Sequence, residues 1–247
     1  MSGSGFPKGA QGGVPGDVPR DVPGGVHAVL LDLDGTLSDS RPGIAASFRH
    51  TLAQLGHDPA LAGDLTWAVG PPIAVSLARL LAPYGDDRVD MALTLYRERY
   101  SAVGLYECAV YPGVVDLLAR SRDAGLALCI ATSKRRDFAE RVIDHLGLRG
   151  FIRAVYGALP GGGLDHKQDL LAHILAAETL SPDSCVMVGD RLHDIAAAKA
   201  NAIRSIGALW GYGGRAELEE AGADALAAEP ADVARLVLGS GELHMGF

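Results

Sequence analysis

Two carboxylates one residue apart, in Asp32-Leu33-Asp34-Gly35-Thr36-Leu37, are the groups in this chain best placed to do chemistry. They follow an apolar run, Val26 to Leu31, that reads as a strand buried on both faces. A carboxylate pair at the end of a buried strand is unfavourable unless a cation or a proton-transfer role offsets it. The two-residue step keeps both side chains on one side of an extended segment. Gly35 and Thr36 allow the backbone to turn sharply just beyond them. The arrangement fits an aspartate nucleophile beside a Mg²⁺ ion.

Three further segments carry matching groups. Thr132-Ser133-Lys134 follows a strand predicted over 126–131, and its hydroxyls and backbone N–H groups suit phosphate oxygens. Lys167 stands just before a helix predicted to begin near Gln168, where the helix dipole disfavours a cation unless an anion is close. In Gly189-Asp190-Arg191-Leu192-His193-Asp194, Asp190 falls at a strand end and Asp194 opens the next helix. Each segment has an ordinary reading alone. Asp-x-Asp-Gly is a common turn, Thr132, Ser133 and Asp194 are good helix caps, and Lys167 is by default a solvated lysine. Set in this order on successive strands, the ordinary readings would all have to hold together. Lys134, Arg135 and Arg136 read first as a solvated helix start and second as help in binding an anion; Arg41 is a comparable candidate. His166 and His193 are candidate bases. Trp210 and Tyr212 read as core or loop packing.

The elements that must position these residues alternate. Strands are predicted over 26–33, 126–131, 185–189 and 205–209, with a weaker one over 154–156. Helices are predicted over 114–124, 136–146, 168–178 and 194–200. Such alternation makes an α/β fold: a parallel sheet covered by helices, with ligands at the carboxyl ends of its strands. Residues 39–108 break the rhythm. They read as helical over 41–55, 73–81 and 87–103, punctuated by Gly70-Pro71-Pro72 and Pro83-Tyr84-Gly85. Seventy residues are too many for a crossover loop, so this is a helical insert overhanging the acidic pair, in the manner of a lid. The expected organisation is a disordered tail over 1–25, a catalytic core over 26–38 and 109–240, a helical cap over 39–108, and a C-terminal tail over 241–247.

The 247 residues are 48% hydrophobic, enough for a sizeable core, and carry a formal net charge of -8. That charge argues against a nucleic-acid polymer as partner, since phosphate neutralisation needs clustered Lys and Arg. No apolar run reaches the roughly 18 residues of a membrane span, and the first 25 residues lack the apolar stretch of a secretory signal. Cys108, Cys129 and Cys185 have no metal-ligand spacing, and Cys129 and Cys185 sit in apolar runs. The cytoplasm is the default location. The oligomeric state is left unassigned.

Taken together, Asp32-Leu33-Asp34-Gly35-Thr36-Leu37, Ala131-Thr132-Ser133-Lys134, Lys167 and Val188-Gly189-Asp190-Arg191-Leu192-His193-Asp194 resemble the haloacid dehalogenase-like hydrolase superfamily. Val69-Gly70-Pro71-Pro72, Tyr111-Pro112-Gly113-Val114 and Trp210-Gly211-Tyr212-Gly213 resemble its phosphoglycolate phosphatase and 5′-nucleotidase branch. Ala158-Leu159-Pro160-Gly161-Gly162-Gly163 departs from that branch's more polar approach to the lysine. The resemblance implies a Rossmann-like core with a helical cap inserted after the first strand. It implies Asp32 as nucleophile and Asp34 as general acid and base. It implies Mg²⁺ held by Asp32, the backbone carbonyl of Asp34 and Asp190, with Asp194 in support. Thr132 and Ser133 would bind the phosphoryl group and Lys167 would balance charge. Dehalogenation has no alkoxide to protonate, so the second acid favours phosphoryl transfer. The expected activity is Mg²⁺-dependent hydrolysis of a small phosphorylated metabolite, such as phosphoglycolate or a nucleoside 5′-monophosphate. A phosphosugar mutase or other phosphoryl transferase is the alternative, and a non-catalytic phospholigand-binding protein a third reading.

Overall fold

The computed structural model describes residues 25–71, 73–159 and 162–239. The expected tails, apart from Gly25, lie outside these residues, as do Pro72, Pro160 and Gly161. The centre of the fold is β1 (Ala28–Leu31), four residues buried on both faces. Its side chains alternate between two apolar clusters. Val29 and Leu31 enter the larger one, with Phe48, Leu118 and Val142, while Ala28 and Leu30 enter the other, with Leu170, Leu171 and Ile174.

β1 lies between β4 (Ala127–Arg135) and β6 (Cys185–Gly189), parallel to both. Outside them run β5 (Ala154–Ala158) on one side and β7 (Arg204–Ala208) and β8 (Ala225–Ala227) on the other, giving the order β5-β4-β1-β6-β7-β8. The chain winds outward from β1 in both directions. The crevice beyond the carboxyl end of β1 is therefore the switch point where such sheets bind ligands. This is the α/β, Rossmann-like core that the alternation predicts. The weakly predicted strand over 154–156 is a genuine edge strand, and β4 runs past its expected end at Ala131 through a register shift to Arg135. β8, with α8 (Arg215–Ala221) and α9 (Pro230–Leu238), has no predicted counterpart.

Helices cover the sheet through apolar stripes at helical spacing. α4 (Val114–Asp123) buries Val114, Leu117, Leu118 and Ser121. α6 (Lys167–Ala177) buries Lys167, Leu170, Leu171 and Ile174, so the lysine lies in phase with the apolar stripe. α5 (Arg136–His145) and α7 (Leu192–Ala200) complete the layers around β4–β5 and β6–β7. Asp194 is the third residue of α7, whose cap is Arg191, rather than the residue that opens it. Its carboxylate accepts the Arg191 N–H at 3.0 Å, so it stabilises the first turn from within.

Between β1 and α4 the chain passes through β2 (Ser38–Asp39), α1 (Arg41–Gln54), α2 (Ile73–Leu81), α3 (Val89–Ala102) and β3 (Ala109–Val110). β2 and β3 pair antiparallel, Ser38 with Val110 and Asp39 with Ala109. The helices pack around Phe48, which is 0% exposed and meets the Tyr96 ring at 4.8 Å between centroids. Phe48→Ala is expected to lower unfolding free energy by about 3–5 kcal/mol, measurable by urea titration, because a ring-sized void forms at a fully enclosed position. No helix among the described residues is long and apolar enough to cross a membrane.

Candidate active site

Asp32 follows β1 directly, and its N–H donates to the Val188 carbonyl of β6 at 2.9 Å. Its position continues the parity of Ala28 and Leu30, which face α6. The Lys167 ammonium, at the start of α6, donates to Asp32 Oδ1 at 2.7 Å and also to Asp194 Oδ1. The anion needed to hold a lysine at a helix start is thus a pair of carboxylates. Asp32, Asp190 and Asp194 are all buried, and each offers an oxygen within 4.8 Å of the others.

Asp190 lies beneath the floor of the site with 0% exposure. Its Oδ1 accepts from the Thr36 hydroxyl at 3.2 Å and its Oδ2 from the Tyr212 N–H at 2.7 Å. Glycine backbone closes around it. A Cβ on Gly35 would stand 2.2 Å from Asp190 Oδ2, and one on Gly211 would stand 2.3 Å from Asp190 Cβ. Gly35 also has a φ of +93°, which a side chain disfavours. The Trp210 indole N–H donates to the Thr36 carbonyl at 3.0 Å, fixing the loop after β1 from outside. Trp210 and Tyr212 are therefore supports of the acidic cluster as well as packing residues.

The cluster holds more negative charge than its own cations balance. Burial pushes Asp32 up to about 6, against the pull of Lys167, and the charges of Asp194 and Asp34 add to the rise. Burial likewise pushes Asp190 up to about 8, reinforced by Asp32 and Asp194. Burial disfavours the Lys167 ammonium, but the two carboxylates outweigh it and hold its pKa above the ordinary lysine value. One ammonium among three buried carboxylates leaves room for a divalent cation with hard oxygen donors. The residues present fit Mg²⁺. Both Asp194 oxygens already accept, Oδ1 from Lys167 and Oδ2 from the Arg191 N–H.

Above the cluster opens a cleft of about 850 Å³, lined by Asp32, Asp34, Thr132, Ser133, Lys167 and Asp194 among others. Thr132 is buried at the end of the main part of β4, whereas Ser133 is exposed. His166 and His193 also line the cleft, from exposed positions. Arg41 pairs with Asp39 at 2.9 Å and does not line it.

Lys134 overturns its first reading. It is not part of a solvated helix start: its side chain is 6% exposed and its ammonium lies 2.9 Å from Asp34 Oδ2. Arg135 does keep an exposed partner, Asp137, at 2.8 Å. Sequence reasoning also missed the cleft face of α3, where Leu93, Tyr96, Arg97 and Tyr100 line the site. Their spacing of three, four and seven was the available signal. Arg191 is another omission. Its guanidinium donates to the Val69 carbonyl and to Glu217, each at 2.8 Å, tying the loop after β6 to the helical segment.

Residues 29–208 match the family model described as "Haloacid dehalogenase-like hydrolase". The chain is 38% identical to the 5′-nucleotidase of Pseudomonas aeruginosa over 77% of its own length and 86% of that protein. It is 41% identical to the tyrosine-protein kinase PtkA of Mycobacterium tuberculosis over 75% of its length, spanning 62% of that protein. The solved structure of a predicted phosphatase from Clostridium acetobutylicum superposes with a TM-score of 0.78 at 32% identity, covering 87% of this chain and 99% of that one. With a match reaching from β1 to the end of β7, and with relatives this similar over most of its length, the chain belongs to the haloacid dehalogenase-like hydrolase family.

Proposed function

We propose that this protein is a Mg²⁺-dependent phosphatase that hydrolyses a small phosphate monoester through a phosphorylated Asp32. One observation carries the reading. Segments around residues 32, 132, 167 and 190, far apart in the chain, meet at the carboxyl edge of the sheet with a carboxylate, a hydroxyl, an ammonium and a buried acidic cluster. A phosphate dianion repels a carboxylate nucleophile, so the site must neutralise charge before it can bond them. Lys167 already touches Asp32 and is placed to hold one phosphoryl oxygen. Thr132 and Ser133, in the irregular last part of β4, would hold the others. Asp32, the Asp34 carbonyl and Asp190 would hold Mg²⁺, with Asp194 orienting Lys167 and the α7 loop. The bound ion supplies charge neutralisation and alignment of the reacting oxygens.

Asp32 attacks phosphorus, and the ester P–O bond breaks as the Asp32–P bond forms. Asp34 delivers its proton to the departing oxygen, which leaves as an alcohol. Asp34 then removes a proton from water as that water attacks phosphorus. The Asp32–P bond breaks, inorganic phosphate forms, and both aspartates return to their starting states. The helical segment 39–108 acts as a cap over this chemistry, and its Val69 carbonyl, held by Arg191, marks where it meets the core. Phosphoglycolate and nucleoside 5′-monophosphates are the substrates to test first.

The test is phosphate release from a panel of metabolite esters, with Mg²⁺ and with the ion chelated. Chelation is expected to lower the rate at least about 10²-fold, restored by added Mg²⁺, since the ion carries much of the charge compensation. Turnover indifferent to chelation sinks the metal assignment. The similarity to a tyrosine-protein kinase favours a second reading, transfer of the phosphoryl group to a hydroxyl instead of water. Product carrying the phosphate, without free phosphate, would establish transfer and exclude hydrolysis.

A further inference from the structure

Lys134 is a buried charge that the steps above leave without a task. Its ammonium meets Asp34 Oδ2 at 2.9 Å and donates to the Tyr100 hydroxyl at 2.5 Å. Burial disfavours the ammonium, but Asp34 and Tyr100 outweigh that and keep its pKa above the ordinary lysine value. Tyr100 is fixed in turn. Its ring stacks on Tyr96 at 5.4 Å and meets Phe138 edge-on at 6.0 Å. A polar chain therefore runs from α3 of the helical segment, through β4, to the acid beside the nucleophile.

The other oxygen, Asp34 Oδ1, is buried and has no hydrogen-bond partner among the described residues. A carboxylate rotates about its Cβ–Cγ bond, and a single ion pair to one oxygen fixes where the second one sits. We propose that Lys134, held by Tyr100, is a positioning residue for Asp34: by pinning Oδ2 it fixes the rotation of the carboxyl group that serves the leaving-group oxygen and then water. This rests on the phosphatase reading. Tyr100 belongs to α3 of the helical segment, so the lysine is held between that segment and the core.

The consequence depends on the leaving group. An alkoxide needs a proton as its P–O bond breaks; p-nitrophenolate, a weak base, departs without one. The quantity to measure is kcat/KM, which covers the steps up to departure and excludes the hydrolysis step both esters share. Wild type, Lys134→Met, Lys134→Arg, Tyr100→Phe and Asp32→Asn are compared on glycerol 2-phosphate and p-nitrophenyl phosphate with Mg²⁺. Lys134→Met is expected to lose about 10²-fold on the alkyl ester and less than about 3-fold on the aryl ester, the size and selectivity of lost general-acid catalysis. Lys134→Arg restores much of the alkyl activity. Tyr100→Phe, which keeps the ring and the lysine, shows a smaller loss with the same selectivity.

Equal losses on both esters overturn the proposal, because they place the lysine on the phosphoryl group or in the fold. If Lys134→Met does not fold, Tyr100→Phe decides alone: no loss, or an even loss, overturns the proposal. Even losses with an active wild type and an inactive Asp32→Asn remove only the Lys134 assignment. No phosphate release by the wild type from either ester removes the phosphatase reading and this inference with it.

Discussion

Replacing Asp32 by asparagine is expected to cut Mg²⁺-dependent phosphate release by at least ~10³-fold while the protein stays folded. The amide keeps the shape of the side chain but lacks the anionic oxygen that the proposed mechanism needs to attack phosphorus. Loss by unfolding is the usual confounder of such a result, and here the electrostatics separate the two. Asp32 is one of three buried carboxylates crowded within 4.8 Å. Removing its charge relieves repulsion between like charges, and Lys167 keeps Asp194 as a partner. The variant should therefore melt, in chelator, at the same temperature as wild type or above it. Paired assays of initial rate and thermal melting check both halves. More than about a tenth of wild-type turnover would show that another group attacks phosphorus, since a lost covalent nucleophile leaves far less.

Gly35→Ala is the second large effect, and it reaches the site through the backbone. The added methyl would lie 2.2 Å from Asp190 Oδ2 and 2.6 Å from its Cγ, at a φ of +93°. The carboxylate has nowhere to retreat, because Gly211 lies against its Cβ and Tyr212 and Thr36 bond its oxygens. We expect a loss of roughly 3 kcal/mol or more, combining left-handed backbone strain with overpacking, and activity near background. The double variant Gly35→Ala/Asp190→Ala separates the causes. Removing the carboxylate should recover part of the stability and none of the activity, a coupling that urea titration of the four proteins measures. Additive losses would mean that the two residues do not press on one another.

Much of this was legible in the chain. Asp32, Thr132, Lys167 and Asp190 each stand at the edge of an apolar run, and apolar runs announce strands and helix stripes. Lys167 sits three, four and seven residues before Leu170, Leu171 and Ile174, so burial of the stripe buries the lysine. Lys134 had no such local signal. Its burial depends on Tyr100, more than thirty positions away on another element, and on an ion pair with Asp34 that exists only once β1 and β4 lie side by side. Asp194 was misplaced by two residues because Arg191, a poor capping type, caps α7. β2 and β3 are two residues each, too short for any alternation to show. β8 hides in an alanine-rich stretch, where small side chains blur strand and helix patterns.

The pairing of β2 with β3 has a wider consequence. The helical segment leaves the core and returns to it through neighbouring strands, prolonged by the Tyr111 N–H donating to the Leu37 carbonyl at 3.1 Å. Its two ends are therefore separated by about one inter-strand spacing, ~4.8 Å. A seam that narrow allows a whole segment to be grafted from one relative to another, or trimmed to a tight hairpin, without altering the register of the central strands. Exchange of that segment would replace the α3 residues that line the cleft, Leu93, Tyr96, Arg97 and Tyr100, and leave Asp32 and Lys167 on their own elements.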